Sequence, residues 1–216
     1  MIDAADAIVA DRPLLVSATP GEIEHVHTDL PRIVVGVGGM NAAIHLTAAL
    51  TAAKAKGIQP SCLINVGTAG ALKASVSGVF EIGHVYKHDF NDDVLEAIDG
   101  KPALNDLLLE TSGVLPTATL ATGDSFVADS ATRERLAGKA DLVEMEGYVI
   151  ARIGFEFGIP VVLIKQTSDM ADESAIGQWA DAVDGSSRHL DRALAAYCDS
   201  GHVAAVPTPQ RAEFRR

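Results

Sequence analysis

Short, continuous apolar runs alternate along the chain with longer segments whose apolar residues recur every three or four positions. The short runs "RPLLVSATP", "PRIVVGVGG", "PSCLINVGTAG", "TATLATGDSFV" and "IPVVLIKQTSDMAD" read as strands buried on both faces. "GVFEIGHVYKHDF" reads as one or two more. Among the longer segments, "MNAAIHLTAALTAAKAKG" predicts a helix closed by glycine, and "DSATRERLAG" a short helix with Asp129 or Ser130 as N-cap. A helix is predicted over 146–158, where Val149, Ile150, Ile153 and Phe157 form an apolar stripe, and an amphipathic helix runs to about residue 199. Strands alternating with helices predict an α/β fold, a largely parallel or mixed sheet covered by helices on both faces. The expected organisation is one domain over 1–200, followed by a mobile tail over 201–216.

Five of these strands end in small or polar residues: "SATPGE", "GVGGMN", "NVGTAG", "ATGDSF" and "QTSDMAD". In open α/β sheets, ligands bind beyond the carboxyl ends of the strands. Five such ends predict one shared pocket.

Composition narrows the class. The 216 residues are 48% hydrophobic and 21% charged, as in a globular domain. A net charge of −12 argues against nucleic acid, which needs basic surface. No run approaches the ~20 apolar residues of a membrane span. The acidic N-terminal stretch is unlike a signal peptide, and the two widely separated cysteines, Cys62 and Cys198, suit a reducing compartment. A cytoplasmic location is therefore expected.

The candidate chemistry lies in carboxylates set among apolar residues. Asp169 follows the apolar run "VVLI", where it could cap a helix or act as a proton-donating acid, with Ser168 orienting it. Glu22 follows the first strand, and "VEMEG" places Glu144 and Glu146 around Met145. Buried carboxylates need partners, and a sugar diol is one that a single carboxylate can hold through two hydroxyls. Two other readings are discounted. "GVGGMNAA" lacks the third glycine and the downstream acid of a dinucleotide loop. A nucleophilic Ser125 with Asp184 and His189 has no base shown to activate it.

Together, "INVGTAG", "ATGDSFV", "VEMEG" and "SDMAD", in this order and spacing, resemble the purine nucleoside phosphorylase / nucleosidase superfamily, and within it the 5′-methylthioadenosine/S-adenosylhomocysteine nucleosidases. The resemblance covers roughly residues 14–198. It implies a three-layer α-β-α sandwich with a mixed central sheet and hydrolysis of a purine ribonucleoside's N-glycosidic bond. It further implies Asp169 as the acid at purine N7, held by Ser168, and Glu22 as the residue orienting water. Glu146 would accept the ribose hydroxyls, with Met145 against the ring and Glu144 as a second acid nearby. Phe126 would stack on the base, the main chain of Val127 read its edge, and Thr68 and Gly70 face the water side. Val37 and Trp179 would line the pocket for the 5′-substituent. No metal or other cofactor is implied, and a homodimer is.

The superfamily's phosphorylases hold phosphate with arginines. Here Asn65 stands at one such position, no arginine lies in the first two glycine-rich strand ends, and Glu22 would repel phosphate. Water is the expected nucleophile. The stretches 23–35 and 84–112 are shorter than, or unlike, those of the methylthioadenosine nucleosidases, so the 5′-group stays open. "ATPGE" and "GVGGMNAA" also resemble the futalosine hydrolases, whose substrates carry a large 5′-extension.

Overall fold

The computed structural model describes residues 7–100 and 104–212. The strands are β1 (Leu14–Ser17), β2 (Arg32–Val34), β3 (Leu63–Ala71), β4 (Val79–Lys87), β5 (Asp106–Leu108), β6 (Thr117–Thr122), β7 (Leu142–Glu144), β8 (Val161–Asp169) and β9 (Gln210–Arg211). The helices are α1 (Gly39–Ala55), α2 (Asp92–Asp99), α3 (Ser130–Ala137), α4 (Gly147–Phe157) and α5 (Ala175–Asp199).

Each long strand divides its side chains between two cores, as a pleat of period two requires. Leu14, Val16, Leu63, Val161 and Leu163 pack with Leu46, Leu50, Ile150 and Ile153 of α1 and α4. Leu15, Ile64, Val66, Val162 and Ile164 pack on the other face with Leu190, Leu194 and Tyr197 of α5. Burial on both faces explains why these strands read as unbroken apolar runs rather than alternating ones. The expected α/β sandwich with a mixed sheet is the fold observed.

The sheet does more than stay open. β1, β2, β3 and β8 run parallel, and β8 then pairs antiparallel with the start of β4. β4 runs parallel to β6, and β6 to β7. β7 returns to β3 as an antiparallel partner at Gly70 and Ala71. Strands β3, β8, β4, β6 and β7 thus form a closed ring, with the ends of β3, β6, β7 and β8 gathered at one rim.

"GVFEIGHVYKHDF" forms one strand, β4, irregular in register between Ile82 and His84. Asp129 is the N-cap of α3, its side chain accepting from the Thr132 amide at 2.8 Å. The expected mobile tail departs from the sequence reading over its described part. Val206 packs into the α5-side core, and β9 adds to β5 through Leu107–Arg211 and Leu108–Gln210. The pattern is too short to announce a strand; an open edge of β5 supplies it. Residues 213–216 of that tail lie outside the described residues.

Candidate active site

A cavity of about 460 Å³ opens at the rim where these strand ends meet, a volume typical of small-molecule sites. All five polar strand ends contribute. β1 leads to Thr19 and Glu22, β2 to Val37, β3 ends through Thr68 and Gly70, β6 leads to Phe126 and Val127, and β8 ends in Ser168 and Asp169. β7 adds Glu144, Met145 and Glu146, and α5 closes one side with Ile176 and Trp179. Every residue to which the resemblance gives a catalytic or substrate-binding role lies on this wall. Among the described residues, no histidine, arginine or lysine lines it. Ser125 also lines the cavity, and His189, considered as its base, does not.

Glu22 sits in a 3-10 turn, Gly21–Ile23, and is only 5% exposed. Its Oε2 accepts from the amides of Ala18 and Thr19 at 3.1 and 3.0 Å. Its Oε1 accepts from the Thr68 amide at 2.8 Å and the Thr68 hydroxyl at 3.1 Å. A buried carboxylate without such donors would cost several kcal/mol. The approach needs glycine at position 67, where a Cβ would stand 2.9 Å from Glu22 Oε1.

The two glutamates of "VEMEG" have different surroundings. Glu144 Oε1 accepts from the Thr122 hydroxyl at 2.6 Å, and its Oε2 from the Glu146 amide at 3.0 Å. The Gly147 amide donates to both of its oxygens, at 3.0 and 2.8 Å. Glu144 thus caps α4 from one turn before it, and its Oε2 also takes a 2.9 Å bond from Lys165 Nζ. Glu146 makes a single bond, from the Gly38 amide to Oε1 at 2.5 Å. Burial first, and then the neighbouring Glu144, push its pKa up to about 7. Among the described residues its second oxygen takes no hydrogen bond.

Lys165, beside these carboxylates, is a residue that the sequence alone did not single out. It is 2% exposed in the middle of β8. Burial works against its charge, but Glu144, Glu146 and Glu22 outweigh that and raise its pKa. One cation therefore serves three carboxylates. A lysine inside "VVLIKQTSD" was the available signal, because a strand buried on both faces does not carry a charge without a partner. Asn65, expected at a phosphorylase's arginine position, is buried away from the cavity and donates to the Val16 carbonyl at 3.0 Å.

Asp169 ends β8. Its Oδ1 accepts from the Ala171 amide at 2.8 Å and its Oδ2 from the Ser168 hydroxyl at 2.7 Å. Ala171 itself adopts a left-handed φ of +50°. Gly70 makes room, since a Cβ there would meet Asp169 Oδ1 at 2.9 Å. Phe126 lies 44% exposed at the mouth, while Val127 is buried beneath it.

Comparison with known proteins agrees with this geometry. Residues 28–200 match the family described as the Phosphorylase superfamily. A 5′-methylthioadenosine/S-adenosylhomocysteine nucleosidase of Bacillus velezensis is 31% identical over 178 residues, covering 73% of this chain and 74% of that one. Two solved Helicobacter pylori structures share the fold at 19% identity. One is a nucleosidase of the same name, and the other a futalosine hydrolase mutant. Each has a TM-score of 0.74 and covers 88% of this chain and 99% of its own. The chain belongs to the Phosphorylase superfamily and stands with its nucleosidases, which hydrolyse N-glycosidic bonds.

Proposed function

We propose that this enzyme hydrolyses the N-glycosidic bond of a purine ribonucleoside of the 5′-methylthioadenosine/S-adenosylhomocysteine type. The observation that carries this reading is the presence of Asp169, Glu22 and Glu146 on three sides of one cavity, each buried and each held by its own donors.

Cleavage builds positive charge on the sugar and negative charge on the departing base. Asp169, as the acid, delivers a proton to N7, so the base leaves neutral. When its Oδ2 carries that proton, the Ser168 hydroxyl turns its own hydrogen to the Ala69 carbonyl, 3.4 Å away. Glu146 accepts the ribose hydroxyls through its free oxygen, with Met145 against the ring. Glu144 stays with Lys165 and the α4 amides. Its negative charge faces the cationic sugar without binding the diol. Phe126 covers the base, and Glu22 orients water on the opposite face.

The nucleophile is water rather than phosphate. A phosphate dianion needs cations, and among the described residues none lines the cavity. Lys165 is already committed to Glu144. Val37, Ile176 and Trp179 offer apolar contact to the 5′-substituent, which favours a small alkylthio group over a large charged extension.

A base-release assay tests this with methylthioadenosine, S-adenosylhomocysteine, adenosine, inosine and futalosine, each with and without phosphate. Release that depends on phosphate would make it a phosphorylase. A preference for futalosine would move it to the futalosine hydrolases.

The same reading includes a homodimer in the cytoplasm. Val37, Met40 and Ile44 stand 48%, 76% and 57% exposed beside the cavity mouth and along α1, a face that a second copy would cover. The free Cys62 and Cys198 suit a reducing compartment. Sedimentation equilibrium giving a monomer at micromolar concentration would overturn the dimer.

A further inference from the structure

The four donors around Glu22 fill its four in-plane acceptor positions. A carboxylate in that state has no place for a proton from water. Three of the donors are main-chain amides, those of Ala18 and Thr19 just past the end of β1 and that of Thr68 within β3. The fourth, the Thr68 hydroxyl, is the one that can rotate.

What holds that hydroxyl is the chain's single tryptophan. Trp179 Nε1 donates to Thr68 Oγ1 at 3.1 Å. An indole N–H can only donate, so Thr68 Oγ1 is the acceptor and its one hydrogen is directed at Glu22 Oε1. The order Trp179 to Thr68 to Glu22 is therefore unambiguous. Trp179 is also part of the cavity wall, on α5.

We propose that Trp179 is a positioning residue that controls when Glu22 can take up the attacking water, by holding the Thr68 hydroxyl on Glu22 until a 5′-substituted nucleoside displaces the indole. Displacement frees Thr68 to turn away, and water takes the vacated position on Oε1. Nucleosides with a bare 5′-hydroxyl leave the indole in place and Glu22 saturated. This rests on the hydrolase reading above and adds to it a reason for discrimination at the 5′-position.

The test compares kcat for methylthioadenosine and adenosine in wild type, W179F, T68V, T68S and W179F/T68V. W179F keeps an aromatic ring and loses the N–H together with part of the indole's bulk. The ratio of the two kcat values should fall by about 3- to 10-fold in W179F, the worth of one hydrogen bond. It should fall to the same floor in T68V and go no lower in the double variant. T68S, which keeps the hydroxyl, should retain the wild-type ratio. If W179F changes only KM, or lowers the ratio further in the T68V background, Trp179 is merely an apolar wall and the proposal fails.

The lone indole gives a readout that needs no turnover. Its ¹H–¹⁵N resonance should move upfield in T68V and stay in place in T68S. A resonance indifferent to T68V overturns the relay. Absence of base release by the wild type would instead remove the hydrolase reading and leave the relay to be judged by this signal.

Discussion

Lys165 Nζ lies 2.9 Å from Glu144 Oε2, with both side chains almost wholly enclosed. This pair joins the middle of β8 to the end of β7 and anchors the cluster of acids at the cavity. Removing the cation would strand Glu144 and leave Glu146 and Glu22 without compensation. Lys165→Met should lower the unfolding free energy by about 3–5 kcal/mol, the usual loss on breaking a buried pair. Chemical denaturation measures it, and a loss below about 1 kcal/mol would mean that the pair contributes little.

The pH behaviour of Glu146 has a definite sign. Its folded pKa is raised from 4.5 to about 7, so the fold favours its protonated form. The stability this contributes is fully present below pH 4.5 and is lost as pH rises through about 7. Ribose binding runs the other way, because only the carboxylate accepts two hydroxyls. The KM of the wild type should fall as pH rises through about 7, and Glu146→Gln should flatten both the stability and the KM profiles over that window. A KM that is flat in the wild type would refute the role.

Asp169→Asn keeps an oxygen for the Ala171 amide and removes the acid. Base release should drop by roughly 10²- to 10⁴-fold with the circular dichroism spectrum unchanged. Near-normal turnover would eliminate Asp169 as the donor to N7.

The glycines of "NVGTAG" each clear a carboxylate: Gly67 for Glu22 and Gly70 for Asp169, both with a 2.9 Å approach to an added Cβ. Gly67→Ala and Gly70→Ala should each cost about 1–3 kcal/mol of stability through overpacking. Displacing the carboxylates should also reduce kcat/KM by roughly 10- to 100-fold. Thermal melts beside steady-state rates separate the two effects, and wild-type rates in both variants would show that the carboxylates tolerate displacement.

Much of this was legible in the chain. The apolar runs announced β1, β3 and β8 because each is buried on both faces, and their polar ends announced the pocket. The short elements β5, β9 and α2 were not legible. Three residues of Asp106–Leu108 carry no period, and Gln210–Arg211 is a strand only because β5 presents an open edge to it. Glu144 stayed ambiguous in sequence between ribose contact and helix capping. Its bonds to Gly147, Thr122 and Lys165 place it on the capping side.

By itself, the sequence determined the long buried strands and which acids stand at their ends, since hydrophobic period and turn chemistry act over neighbouring residues. Only the tertiary structure decided the pairings. Glu22 meets Thr68 across 46 positions, Thr68 meets Trp179 across 111, and Lys165 meets Glu144 across 21. Those distances close because β7 returns antiparallel to the end of β3 while β8 lies on its other edge. A buried charge acquires its meaning only from the partner that this topology brings to it.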